Sequence, residues 1–191
     1  MIASRLRALF LMGLCWAVLW VVPAPAQAAD AIGIRAAQLQ RSASVAGWVL
    51  SADITLDLPE YLREAVNRGV ALPFTMDFEL LRPRWYWLDE RTVEASRTYR
   101  VSFHALPREY RVTLEGASRS FDTLTEALAA FAKMRDWRVM DIGLMQPGIQ
   151  YEPRIRVRLD TSLLTKPFQV NAITSRDWNL KSEWTPVRFN P

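Results

Sequence analysis

The chain is poor in the residues that carry most site chemistry. Its 191 residues include one cysteine, one histidine, three lysines and seven glycines. Cys15 sits inside an apolar N-terminal segment that is expected to be removed. The remaining chain then has no thiol for a disulfide, a thiolate nucleophile or a Cys-ligated metal. His104 stands alone, so a zinc site lacks a second soft ligand, and no Asp-x-Asp-x-Asp-Gly loop offers calcium a site. The glycines never form a phosphate-cradling loop, and Gly-x-Ser-x-Gly and a supported Ser-x-x-Lys are both missing. On these grounds no catalytic residue, metal or cofactor is assigned, and a non-enzymatic protein is expected.

What is present begins with the first 28 residues. Arg5 and Arg7 stand at the front, Ala8–Val22 is apolar, and Ala26-Gln27-Ala28 is a small-x-small site. This layout is that of a secretory signal peptide cleaved after Ala28, which predicts a periplasmic protein. The apolar run of about 15 residues is short of the ~20 needed to span a bilayer. Leu14 before Cys15 does not suit a lipoprotein site. No later stretch is long and apolar enough to cross a membrane.

Residues 29–191 are expected to form one domain, long enough to bury roughly 70% of its unfolded surface. Loss of Arg5 and Arg7 takes the basic residues from 24 to 22 against 20 acids, so the net charge falls from +4 to +2. A charge so near neutral argues against a nucleic-acid partner.

Alternation of apolar and polar residues predicts most of the elements. Ile32–Ala37 is a weak first strand, followed by a turn at Arg41–Ser44. Trp48, Leu50, Ala52, Ile54 and Leu56 mark one strand. Phe74, Met76, Phe78 and Leu80 mark another, Tyr99, Val101, Phe103 and Ala105 a third, and Tyr110, Val112 and Leu114 a fourth. Asp57 and Glu60 are placed to form a capping box for a helix at about Leu58–Arg68, ended by Gly69. Thr123 and Glu126 do the same for a helix at about Thr123–Arg135, whose Leu124, Ala127, Leu128 and Phe131 share a face. Gly116–Ser120 reads as a loop and Trp137–Ile142 as a short strand. Ile155, Val157 and Leu159 form a strand whose outer face carries Arg154, Arg156 and Arg158. A short helical or irregular piece runs from Pro167 to Ile173, and a last strand is expected through Trp178, Leu180, Ser182 and Trp184. Short turns between strands predict mainly antiparallel pairing. The expected class is a β-dominated α+β domain: a curved sheet or sandwich with two short amphipathic helices.

The densest aromatic run, Arg82-Pro83-Arg84-Trp85-Tyr86-Trp87-Leu88-Asp89-Glu90, reads as the turn region of a large hairpin, because Pro83 cannot donate to a ladder. Trp85 and Trp87 share a face. They are expected to seal one end of the core; the alternative is a contact site of Arg84, Trp85, Trp87 and Asp89, with the indoles stacking a sugar or a peptide ring. The arginine stripe is expected to be a solvated face, the alternative being a face for anionic headgroups or an acidic partner. His104 is expected on the rim; a general base would need a carboxylate such as Asp89 or Glu109 beside it.

The aromatic run and the segments after it resemble an exported proteobacterial family, domain-of-unknown-function family 4390, also labelled proline-rich signal peptide protein. The similar stretches are Thr98-Tyr99-Arg100-Val101-Ser102-Phe103-His104-Ala105-Leu106, Tyr110-Arg111-Val112, Ser120-Phe121, Glu126-Ala127-Leu128 and Arg158-Leu159-Asp160. Lys166-Pro167-Phe168-Gln169-Val170 and Ser175-Arg176-Asp177-Trp178-Asn179-Leu180 complete them. Thr165 and Pro107 depart from the family pattern, both in turns. The resemblance implies an exported protein and carries over no catalytic or binding residue. It also implies gene neighbourhood with a two-component sensor kinase, hence an envelope protein, such as that sensor's periplasmic domain, as partner. The other function class left open is a protein binding or hydrolysing cell-wall glycan or lipid through the Trp85/Trp87 region.

Overall fold

The computed structural model describes residues 31–86, 88–174 and 176–190; the expected leader and Trp87 lie outside them. β1 (Ile32–Ser42) and β2 (Gly47–Leu56) form an antiparallel hairpin. β1 runs further than expected, so the turn falls after Ser42. Trp48, Leu50, Ala52 and Ile54 are all buried, as their alternation requires. Helix α1 (Glu60–Asn67) follows. Its expected capping box does not form. Pro59 takes the N-cap position with no side-chain bond, and Asp57, two residues too early to reach the first amides, accepts from Arg63 at 2.8 Å. Gly69 ends the helix at φ +87°, donating to the Val66 carbonyl at 2.8 Å, the left-handed geometry that glycine adopts without steric cost.

β3 (Leu72–Arg82) and β4 (Glu90–His104) make the long hairpin, and β5 (Glu109–Leu114) continues it. The expected loop at Gly116–Ser120 is instead β6 (Ala117–Phe121). Glu115 and Gly116, at φ 49° and 87°, reverse the chain in two residues, which brings Ser118 opposite Thr113 and Ser120 opposite Arg111. This is an edge strand with little to bury, so its polar residues hid it from an apolar pattern.

Helix α2 (Leu124–Ala132) has both bonds of the Thr123–Glu126 capping box. β7 (Lys133–Asp141), β8 (Glu152–Leu159) and helix α3 (Lys166–Thr174) follow, α3 being the short piece expected from Pro167 to Ile173, here helical, beside the two amphipathic helices. The strand expected through Trp178–Trp184 does not form. Arg176–Trp178 is a 3-10 turn, and Lys181 makes only an isolated bridge to Arg158. Trp178 packs on Tyr61 and Phe168, with centroids 6.3 and 6.1 Å away. Trp178 thus packs on helices, whereas Leu180 and Ser182 lie along β8, the Leu159 amide donating to the Leu180 carbonyl at 2.7 Å and the Ser182 amide to the Val157 carbonyl at 2.8 Å.

The strands form two mainly antiparallel sheets, ordered β10-β1-β2-β7 and β6-β5-β4-β3-β8-β9. β9 (Thr185–Pro186) adds to β8 of the larger sheet, and β10 (Arg188–Asn190) pairs in parallel with β1 of the smaller one. The chain thus straps one sheet to the other, with buried Val187 between them donating to the Pro153 carbonyl at 2.9 Å. One apolar core lies between the inner faces. Phe74, Met76 and Phe78 of the central strand β3 face it, with Leu39 and Leu50 from the smaller sheet and Phe131 from α2. Burying each large side chain contributes about 1.5–3 kcal/mol. The result is the expected α+β, sandwich-like architecture. Helix α2 lies beside Ile54 and Leu56 at one end of β2; the segment Met145–Tyr151 lies beside Trp48 at the other.

Candidate functional site

The outer face of the larger sheet is not a solvated stripe of arginines. Antiparallel register sets Arg158, Arg156 and Arg154 of β8 opposite Thr75, Asp77 and Glu79 of β3. Because both strands alternate with a period of two, every one of these residues points to the same face. Asp77 accepts from Arg156 at 2.8 Å and from Arg158 at 2.9 Å. Glu79 takes Arg154 through its Nε at 2.8 Å and also through its terminal nitrogen. Arg158 bridges on to Asp160 at 2.8 Å. The two acid side chains are only 14% and 7% exposed. The guanidinium carbons of Arg154 and Arg156 both lie 4.5 Å from the Trp184 ring centroid, close enough for cation–π attraction. The sequence offered a signal for this: acids at 77 and 79, arginines at 154, 156 and 158, with matching period and opposite sign.

Charge is also balanced at the start of β4. Glu79 and Glu94 are directly opposed across β3 and β4, and Arg91 lies between them, 3.6 and 3.5 Å from their carboxylates. Burial pushes the Asp160 carboxyl up. Hydrogen bonds from Ser162 and Arg158, with the Arg158 charge, outweigh that and hold it below its ordinary value. This face therefore reads as a cross-linked structural layer in which Asp77, Glu79, Glu94 and Asp160 each have an arginine.

The tip of the β3–β4 hairpin is different. Pro83 ends β3 pairing, and Arg84 and Arg82 both reach Glu90 across the base of the loop, the second at 4.0 Å. Beyond that staple, Trp85 is 94% exposed, Tyr86 67% and Leu88 82%. The expected role of Trp85 as a core seal is overturned. The Arg82↔Glu90 register ends the ladder just past the last β8 pair, Leu81↔Glu152, so the loop extends beyond the strands whose faces could cover it. Trp85 and Tyr86 steady each other edge-on, with centroids 5.0 Å apart and planes at 72°. Of the predicted contact residues, Arg84, Trp85 and Asp89 are brought together on this exposed loop, and Trp87 lies outside the described residues.

His104 ends up at the opposite end of β4 from the tip. Fourteen residues of strand separate it from Glu90, roughly 45 Å at ~3.3 Å per residue, so Asp89 cannot orient it. Its pair partner across β4–β5 is Glu109. The Glu109 carboxyl is held below its ordinary value first by the Arg111 hydrogen bond, then by Ser120, with the His104 charge a smaller contribution. The His104 ring contacts the Ser102 hydroxyl at 3.3 Å. Among the described residues no group of three or more His, Cys, Asp or Glu side chains could hold a metal.

A scan against family models matches residues 29–188 to DUF4390, described as a domain of unknown function. The chain belongs to the DUF4390 family. No curated protein and no solved structure matches it. Across the described part of this DUF4390 chain, no helix is long and apolar enough to cross a membrane.

Proposed function

We propose that this protein is an exported, non-enzymatic interaction module of the cell envelope, and that it engages a partner protein through the β3–β4 hairpin tip. One observation carries the reading: Trp85, Tyr86 and Leu88 are exposed side by side on a loop stapled at its base by Glu90 to Arg84 and Arg82. Trp and Tyr concentrate the binding energy of interfaces, at 2 kcal/mol or more for each anchor. A stapled loop also gives up less conformational freedom on binding than a free one. The N-terminal leader pattern supports export, and the family resemblance supports an envelope sensor's periplasmic domain as the partner.

The test is photo-crosslinking in cells from position 86, with position 106 as control. Leu106 is 93% exposed and lies beyond the far end of β4, so it matches the tip in exposure but not in place. The reading requires a discrete protein adduct from 86, absent from 106, and abolished by Trp85→Ala with Leu88→Ala. The same adducts from both positions would overturn it.

A second reading is supported by the open face of Trp85: stacking of an envelope sugar. Titration with cell-wall glycan fragments separates the two, since only that reading expects tryptophan emission to change in the wild type and not in Trp85→Ala.

A further inference from the structure

The apolar side chains left open to solvent are not spread evenly over this chain. Among the described residues nine large ones are exposed, and six of them lie at one end of the sandwich: Val45, Trp85, Tyr86, Leu88, Leu144 and Phe189. The strand register places them there. Leu81↔Glu152 and Arg82↔Glu90 put the hairpin tip and Tyr151 at the same end of the larger sheet. In the smaller sheet, Ser42↔Gly47 closes the turn that holds Val45, and Gly47↔Asp141 brings the end of β7, just before Leu144, up to that turn. Apolar surface gathered in one place marks a contact site, whereas single exposed residues do not.

A groove of about 490 Å³ joins the two sheets at this end. Trp48 and Phe189 wall one side, with ring centroids 5.1 Å apart, and Met145, Ile149 and Tyr151 wall the other. The backbone N–H of Gln146 donates to the Tyr151 hydroxyl at 3.3 Å, which holds the second wall in a closed turn. That wall belongs to residues 142–151, ten in a row without a charge. A charged group pressed against it would lose its water and find no counter-ion on it.

Charge differs between the two ends as well. The three lysines are exposed and all stand at the opposite end. Lys133 pairs with Asp53 beside α2, Lys181 bridges to Arg158, and Lys166 follows the end of β8. Asp89, Asp141 and Glu152 are exposed around the apolar end. Anionic lipid headgroups draw clustered basic residues, and these acids would face them instead. Aromatic residues and methionine, with lysine kept away and charge thinned out at the centre, are the composition of a protein–protein contact.

We propose, building on the tip contact above, that the partner protein covers this whole end of the sandwich and inserts an uncharged aliphatic or aromatic side chain into the groove. The partner surface is neutral and apolar where it meets residues 142–151, with the tip gripping it at one edge and Val45 bordering it at the other. An apolar anchor in a desolvated pocket is where interfaces concentrate their affinity.

The test places a photo-crosslinker at positions 86, 45 and 163 of the full chain in cells. Leu163, 46% exposed against 43% for Val45, lies at the far end. The expected result is one protein adduct shared by 86 and 45 and absent from 163. Ile149→Arg, which sets a charge in the groove wall, and Leu144→Arg, on exposed surface, should each cut that adduct about tenfold, the effect of an unpaired charge in an apolar contact. Leu163→Arg should leave it unchanged. Should Ile149→Arg not fold, Leu144→Arg decides. An adduct from 86 that is missing from 45 and survives both arginine variants overturns this proposal and leaves the tip contact standing; no adduct from 86 overturns both. An adduct of twice the chain mass, which is a second copy, also overturns it. So does sedimentation with phosphatidylglycerol-containing vesicles that Trp85→Ala with Leu88→Ala abolishes.

Discussion

Asp77 holds Arg156 and Arg158 on a single carboxylate oxygen, at 2.8 and 2.9 Å, from the middle strand of the larger sheet. Two cations two residues apart on β8 would repel each other if that oxygen were lost. The acid is therefore what makes the arginine stripe compatible with a half-buried face, and it sets the first prediction. Asp77→Ala leaves both guanidiniums with a partner missing and should cost about 2–4 kcal/mol, the loss expected when one member of a buried charged cluster is removed. Glu64→Ala, which breaks the exposed Arg68 pair, should cost under ~0.5 kcal/mol. Urea unfolding checks both, with a shift in midpoint at unchanged slope.

Acid sensitivity should trace to Asp160. Its carboxyl titrates below the ordinary value of 3.8 in the folded chain. The unfolded state therefore takes up the proton first as pH falls. The stabilisation is complete above the unfolded value and is lost as pH drops through the folded one. Unfolding midpoints measured from pH 7 down to pH 2 should show a steeper acid loss in the wild type than in Asp160→Asn, which has nothing to protonate at that position.

At the alkaline end the sign reverses. Burial raises the Tyr99 phenol above 10.0, the Glu115 charge adds to this, and Arg97 opposes it. The unfolded phenol ionises first as pH rises, so the Tyr99 contribution is present below about 10 and lost as pH climbs through the folded value. Tyr99→Phe should flatten the stability profile between pH 9 and 11.

Aromatic residues of similar size should differ sharply in their effect on folding. Phe131 is buried between Phe74 and Tyr99, with both centroids 5.3 Å away; Phe131→Ala should cost about 3–5 kcal/mol. Trp85→Ala should change stability by less than ~0.5 kcal/mol, while abolishing the crosslink from the hairpin tip. A large loss of stability in Trp85→Ala would return that residue to the core.

The cap of α2 offers a local check. Thr123 and Glu126 each bond the other's backbone amide, so Thr123→Ala should cost about 1 kcal/mol. Asp57→Ala, whose residue misses the α1 cap and holds only Arg63, should cost clearly less by the same unfolding measurement.

Where a residue's neighbours along the chain decide its environment, the sequence was sufficient. The period-two burial of Trp48–Ile54 and Phe74–Leu80, the α2 stripe with its capping box, and the stop at Gly69 all follow from local geometry, and together they yield an α+β sandwich. The lack of cysteine after position 15 and the lone histidine likewise constrain the chemistry before any fold is known. What local pattern could not decide was which strand lies beside which. Only the β3–β8 register turned the arginines from a solvated stripe into a paired layer. Only the point where the β3–β4 ladder stops left Trp85 outside the core. Only the meeting of two sheet ends put Arg41, Trp48, Tyr151 and Phe189 around one groove. Each depends on contacts between residues far apart in the chain, and an alternating pattern records which face a side chain takes but not what waits on that face.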